Sequence, residues 1–257
     1  MASTKPQTVR VVAGTRAAIP LAEALAVQFS DRLRVAVTLA GTRRVPRVVG
    51  CTVDRMGDAD PGDAVAVIDA LDPFDRRAVR ALREAARRAG LPRLAFRPPM
   101  WERHPLDRWV EVRNLMGAVD AVASVARIAL LALPPDQISA FQPIGGLRFP
   151  VRLEQVPPGW NLPPRFAVQL GSANRSLAGE IRLLQRTKAQ AVVMRATGTA
   201  EEAPTMIAAR TLDLPIIMIR RPRERGNPPA QSRDAALEWV SVVLGDAARV
   251  RGATAWR

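Results

Sequence analysis

The sequence predicts an α/β protein with mainly parallel sheets. Three observations lead there. Apolar runs of strand length alternate with amphipathic helical stretches along nearly the whole chain. Several strands stop abruptly at Gly-Thr or Arg/Pro turns, and there are more strands than one six-stranded sheet needs. Alternation of this kind implies right-handed crossovers and helices on both faces of each sheet. The surplus of strands predicts two Rossmann-like domains, residues 8–126 and 127–250, with the boundary near 125–132.

In the N-terminal half, Val9 to Val12 reads as a strand, Ala13-Gly14-Thr15 as a tight turn, and Ile19, Leu21, Leu25 and Val27 as the apolar face of a helix. Leu33 to Leu39 supplies a second strand ending at Ala40-Gly41-Thr42-Arg43-Arg44, and Cys51 to Met56 a short third one. Gly57 to Gly62 is an Asp/Gly/Pro loop. The continuous apolar run Ala64 to Ile68 has the pattern of a buried parallel strand and ends at Asp69-Ala70-Leu71-Asp72-Pro73-Phe74. An Arg/Ala-rich helix, Arg76 to Ala89, closes at Gly90, and a strand from Pro92 to Phe96 ends at Arg97-Pro98-Pro99. Met116 to Val125 is a further helix.

The C-terminal half begins with a strand over Arg127 to Leu133 and a short helix over Asp136 to Phe141. Strands at Arg148 to Glu154 and Phe166 to Leu170 flank a Pro-rich connector. Asn174 is placed to cap a helix reaching Arg186, with Leu177, Ile181 and Leu184 on one face. The strand Ala191 to Met194 runs into Arg195-Ala196-Thr197-Gly198-Thr199; a helix follows, then a strand from Pro215 to Ile219 that stops at Arg220-Arg221-Pro222. Ala235 to Leu244 is the last helix.

Composition narrows the function classes. At 257 residues and 48% apolar side chains the chain can bury a substantial core. No apolar run approaches the roughly 18–20 residues of a membrane span, and the N-terminus lacks a signal core, so a cytoplasmic location is expected. One cysteine, Cys51, and one histidine, His104, exclude a disulfide framework and argue against a metal centre. The net charge of +14 is almost all arginine, Lys5 and Lys188 being the only lysines. Arginines scatter along many segments and aromatics are 4%, which makes nucleic acid a minor hypothesis beside an anionic small molecule.

Strand-end turns nominate the site. Gly14, Thr15 and Arg16 open a helix after a strand, and Thr197, Gly198 and Thr199 do the same in the second half, where helix N-termini and backbone amides favour anions. Asp69 and Asp72 read either as helix-capping acids or as polar ligand contacts. Arg97, Arg195 and Arg220 offer cations beside such turns.

Taken in order, Val11-Val12-Ala13-Gly14-Thr15, Leu39-Ala40-Gly41, Val67-Ile68-Asp69-Ala70 with Pro73-Phe74, Arg97-Pro98-Pro99 with Trp101, Ser139-Ala140-Phe141, and Ile217-Met218-Ile219 with Arg221-Pro222 resemble the precorrin-6A reductase family of cobalamin biosynthesis. The resemblance implies a two-domain reductase that moves a hydride from NADPH to a precorrin or cobalt-precorrin macrocycle, with neighbouring pathway enzymes as possible partners. It implies cofactor contacts from Gly14, Thr15, Arg16, Gly41, Arg43 and Arg44, and substrate contacts from Asp69, Asp72, Arg97, Arg195, Thr197, Gly198 and Thr199. Arg43 and Arg44 follow the second strand where NAD-preferring sites carry an acid, which favours a 2′-phosphate. Ala13 stands where the family has the first glycine of Gly-Gly-Thr, and would crowd a phosphate if that residue took a positive φ. The family's turn lysines fall on Arg195, Ala200 and Thr205. A catalytically silent relative that binds a tetrapyrrole or partner enzyme is the alternative.

Overall fold

A computed structural model describes residues 6–40, 47–55, 64–171, 175–224 and 226–245. In chain order the elements are β1 (Gln7–Ala13), α1 (Ala18–Gln28), β2 (Leu33–Leu39), β3 (Cys51–Arg55), β4 (Ala66–Ala70), α2 (Arg76–Arg88) and β5 (Arg93–Ala95). Then come β6 (Trp109–Val112), α3 (Leu115–Val125), β7 (Ala129–Ala132), and α4 (Pro135–Ile138) with a 3₁₀ turn over Ser139–Phe141. The chain continues through β8 (Phe149–Leu153), β9 (Phe166–Leu170), α5 (Leu177–Thr187), β10 (Ala191–Arg195), α6 (Ala203–Thr211), β11 (Ile216–Ile219) and α7 (Arg233–Val243).

Two compact units result: Met1–Pro99 with Pro222–Arg257, and Met100–Arg221. The expected boundary near 125–132 falls inside the second unit. The reason is strand pairing, since β6, a strand the sequence pattern does not mark, pairs in parallel with β11 and carries α3 into that unit. The chain then returns to the first unit after Arg221: Ala230 bridges Phe96, and Ala236, Leu237 and Val240 of α7 join the core around α1.

The first unit holds a five-stranded sheet of order β3-β2-β1-β4-β5, parallel throughout. β4 is buried at every position, its apolar residues Ala66 to Ile68 and Ala70 interrupted only by the ion-paired Asp69. Because the chain leaves β1 toward β2 and β3 and crosses back to β4 on the other side, the topological switch lies between β1 and β4. Ala13 pairs with both Leu39 and Ala70 at that edge. On α1, Leu21 and Leu25 are buried as expected, whereas Val27 is 75% exposed because it lies off the Ala18, Leu21, Ala22, Leu25 face.

The second unit holds a six-stranded sheet of order β6-β11-β10-β7-β8-β9, again parallel throughout. Here the chain steps outward from β7 to β8 and β9 and then returns to place β10 on the far side of β7, so the switch lies between β7 and β10. Its core includes Leu130, Val192, Met194, Met206 and Met218, and a stacked set of rings in which Phe149 lies 5.0 Å from Phe166 and 5.7 Å from Phe141.

Two helix starts differ from expectation. The cap of α2 is Asp75, whose carboxylate accepts from the Ala78 N–H at 3.0 Å, so Asp72 is not the helix cap. Ser176 caps α5 through the Gly179 N–H, and Asn174 lies outside the described residues. In both cases the cap is the residue immediately before the first helical position, outside helical geometry, so its side chain can turn back to the first-turn amides.

Candidate functional site

The first turn is built by close packing. Gly14 follows β1 directly, and a Cβ there would fall 2.9 Å from both the Asp72 nitrogen and the Leu71 Cα. Only glycine lets this turn touch the turn after β4. The Gly14 and Thr15 N–H groups both donate to the Ala70 carbonyl at 3.1 Å, and the Thr15 hydroxyl donates to the same oxygen. These two amides, read from sequence as ligand donors, are thus satisfied within the protein. What faces outward is the start of α1: its cap residue Ala17 has no side-chain cap bond, its first turn has no acid, and Arg16 beside it is exposed. The dipole at such a start favours negative charge beside it. The Ala18 and Ile19 N–H groups at that start donate to the Thr15 and Arg16 carbonyls at 3.3 and 3.4 Å, and Pro20 carries no N–H. Ala13 is extended within β1, and Lys188 and Asp213 are the only non-glycine residues with positive φ among those described, so no glycine is needed at position 13.

Beneath this turn lies a buried ionic cluster. Asp69 is fully buried and Arg97 is 1% exposed. Arg97 donates to the Asp69 carboxylate at 3.0 Å and to the Asp69 carbonyl, while Arg93 donates to the other carboxylate oxygen. Asp69 also accepts from the Leu71 N–H at 3.1 Å, and Glu224 closes the group by accepting from Arg97 at 2.7 Å. Asp72 accepts from the Phe74 N–H at 2.9 Å, folding the loop that leads to α2. Asp69 and Arg97 therefore brace the β4 turn from inside the unit.

In the second unit the Arg195–Thr199 turn lies at the β7/β10 switch. The Thr197 hydroxyl donates to Glu202 at 2.6 Å and lies 3.2 Å from the Thr199 hydroxyl. Gly198 takes φ +72°, the conformation its position requires. Arg221 donates to the Ala196 and Thr197 carbonyls, and the Trp101 indole N–H to the Thr199 carbonyl at 3.3 Å. Arg195 ends β10 in register with Ile219. Arg220, by contrast, pairs with Glu111 at 2.7 Å on an exposed strand end.

Behind the turn, Arg175 donates to the Thr205 hydroxyl at 2.7 Å, Thr205 donates to Glu180 at 2.9 Å, and Arg152 donates to the other Glu180 oxygen at 3.1 Å. Glu180 is 3% exposed and Thr205 fully buried. Burial pushes the Arg175 guanidinium below its ordinary value, opposed by the nearby Glu202 and Glu180 carboxylates. Arg175, Glu180, Arg152 and Glu202 escape sequence reading because they come from three separate segments: β8, the start of α5 and the cap of α6. The one local signal was polar residues at helix starts just beyond strand ends.

Of the nominated residues, Gly14, Thr15, Arg16, Asp69, Asp72 and Arg97 fall in the first unit, and Arg195, Thr197, Gly198 and Thr199 share one turn of the second. Gly41, Arg43 and Arg44 lie outside the described residues. His104 accepts from the Leu106 N–H through its ring and is exposed, a loop role. Among the described residues no helix is long and apolar enough to cross a membrane.

Comparison with known proteins agrees with this architecture. The precorrin-6A reductase of Rhodococcus erythropolis is 28% identical over 239 residues, covering 86% of this chain and 94% of its own. That of Sinorhizobium sp is 29% identical over 253 residues, covering 95% of each. The solved structure of CobK precorrin-6A reductase superposes with a TM-score of 0.82 at 24% identity, covering 92% of this chain and 97% of its own, which establishes likeness of fold. The sequence model described as Precorrin-6x reductase CbiJ/CobK matches residues 8–241, a span that takes in both sheets and both switch points, and the chain belongs to that family.

Proposed function

We propose that this oxidoreductase uses NADPH to reduce one double bond of the precorrin-6A macrocycle, or of its cobalt form, in cobalamin biosynthesis. The observation that carries the reading is the β1/β4 switch point of a family member, with the uncapped start of α1 and Arg16 at its carboxyl edge. Bound there, NADPH supplies the hydride. The protein's part is to hold the cofactor and acceptor in register, and such positioning by itself gives large rate gains.

Arg16, exposed at the positive end of the α1 dipole, would hold the cofactor phosphates. The Arg195–Thr199 turn, stiffened by Arg221, Trp101 and the Thr197–Glu202 bond, would present Thr199 and Arg195 to the acceptor's polar periphery. Asp69 and Arg97 act through the turn they brace and need not touch either ligand.

The test is NADPH oxidation, followed by near-ultraviolet absorbance, with enzymatically prepared precorrin-6A and with NADH in parallel. Substrate-dependent oxidation faster with NADPH is expected. Oxidation at background while the macrocycle still binds would replace this reading with a catalytically silent tetrapyrrole-binding member.

A further inference from the structure

One strongly charged concavity is absent from the site described above. In the first unit, α2 and the segment Pro222–Glu224 flank a groove of about 1060 Å³, floored in part by Pro73 and lined by Arg76, Arg77, Arg80, Arg83 and Arg223. Two carboxylates also line it: one pairs with a groove arginine and the other with arginines outside the groove. Glu84 accepts from Arg80 at 2.8 Å on the same helix, and Glu224 accepts from Arg97 at 2.7 Å and lies 3.7 Å from Arg93. No ion pair to Arg76, Arg77, Arg83 or Arg223 forms among the described residues. The groove thus keeps an excess of positive charge over most of its lining.

Helix stability alone would not choose this arrangement. Arg76 and Arg77 open α2, where the macrodipole disfavours cations, and the first turn contains no acid. Arg76, Arg80 and Arg83 repeat at the four- and three-residue spacing that brings like charges together on one face, another unfavourable local term. Glu84 compensates Arg80 alone, and an anion lying along the stripe would compensate the rest. A single phosphate would leave most of the groove empty, because a volume near 1000 Å³ is at the upper end for small-molecule sites. From Arg76 to Arg83 the helix advances about 10 Å, so the ligand has to present several anionic groups over roughly that distance.

We propose that this groove binds the carboxylate-bearing rim of the macrocycle, with Arg76, Arg83 and Arg223 as positioning residues that set substrate affinity and take no part in the hydride step. The proposal rests on the reductase reading above. A multivalent carboxylate ligand satisfies the separated guanidinium groups through charge-assisted hydrogen bonds, and Arg80, already braced by Glu84, keeps the middle of the stripe in place.

The test compares the wild-type enzyme with the triple variant Arg76→Gln/Arg83→Gln/Arg223→Gln. Precorrin-6A turnover is measured at saturating NADPH, and NADPH is then titrated at saturating precorrin-6A. The KM for precorrin-6A is expected to rise about tenfold with kcat and the NADPH KM unchanged, an effect sized for several partly exposed ion pairs. The melting temperature is expected to stay level or rise, because unfavourable helix charges have been removed; a purely structural role would lower it. Uroporphyrin I, an octacarboxylate, serves as a direct binding probe followed by its fluorescence, and the variant is expected to bind it more weakly, with the difference shrinking in high salt. Unchanged KM and unchanged uroporphyrin binding would overturn the proposal while leaving the reductase reading intact. A raised NADPH KM alone would assign the groove to the cofactor's phosphates and overturn it as well. Absence of turnover in the wild-type enzyme would remove the reductase reading itself, and this proposal with it.

Discussion

Arg97 holds Asp69 at two points, donating through one Nη to its carboxylate and through the other to its own backbone carbonyl, with both residues shut off from solvent. This doubles the fixation of the last residues of β4, the strand on which Gly14 and Thr15 rest. Removing one partner from such a pair leaves a buried charge without full compensation, at a cost of about 3–5 kcal/mol. Arg97→Met is therefore expected to lower the denaturant midpoint strongly. Asp69→Asn in the same background is expected to recover only part of the loss, because Arg93 then loses its carboxylate partner. Additive losses in that cycle would contradict the pairing.

Gly14 and Ala13 make opposite predictions although they are neighbours. Gly14→Ala drives a methyl group to 2.9 Å from backbone atoms of Leu71 and Asp72, which cannot yield as a side-chain end would. A loss of about 1–3 kcal/mol is expected, together with weaker NADPH binding as the start of α1 shifts. Ala13→Gly, which restores the family's usual residue, is expected to give no gain in cofactor affinity, since position 13 is extended strand, and to cost about 0.5–1 kcal/mol. Denaturation curves and cofactor titrations on both variants check this pair of outcomes.

The parallel α/β architecture was legible because its signals are local: Ala64 to Ile68, leading into β4, and Ala191 to Met194 of β10 are continuous apolar runs, and the Gly-Thr turns end strands at the carboxyl edge. The strand β6 was not legible. Its four residues, Trp109 to Val112, form an edge strand with no fully buried position, so the alternation that marks a strand is missing. The partition into units was hidden for a different reason, because it depends on α7 returning to pack against α1 across most of the chain's length. The turns that nominated the site were readable as turns. Their internal bonding was not: nothing in the order of residues shows that Ala70 takes up the Gly14 and Thr15 amides, or that Arg97 faces inward.

The Arg175–Thr205–Glu180–Arg152 chain predicts a graded response in the second unit. Thr205→Val keeps the shape and deletes the hydroxyl that accepts from Arg175 and donates to Glu180. Leaving those groups short of one bond each is expected to cost about 1–3 kcal/mol. Glu180→Ala is expected to cost more, about 3–5 kcal/mol, because Arg152 then lies buried without its carboxylate. Equal effects in the two variants would mean that the hydroxyl link, and not the ion pair, dominates the network.

Cys51 gives a pH prediction whose sign follows from its surroundings. Burial raises the thiol above its ordinary value, and the Glu23 carboxylate, also in the first unit, raises it further. The folded state therefore holds the proton more tightly than the unfolded chain. The resulting stabilisation is complete below the unfolded thiol's pKa, about 8.5, and is lost as pH rises through the higher folded value. Because the thiolate is the nucleophile, alkylation by iodoacetamide is expected to be slow at neutral pH, with a rate midpoint above that of a free thiol. Glu23→Gln removes the charge while keeping an acceptor for the Val49 N–H, so the midpoint is expected to move down part of the way, leaving the contribution of burial. A wild-type midpoint at or below the ordinary thiol value would show that the side chain of Cys51 is neither shielded nor under the influence of Glu23.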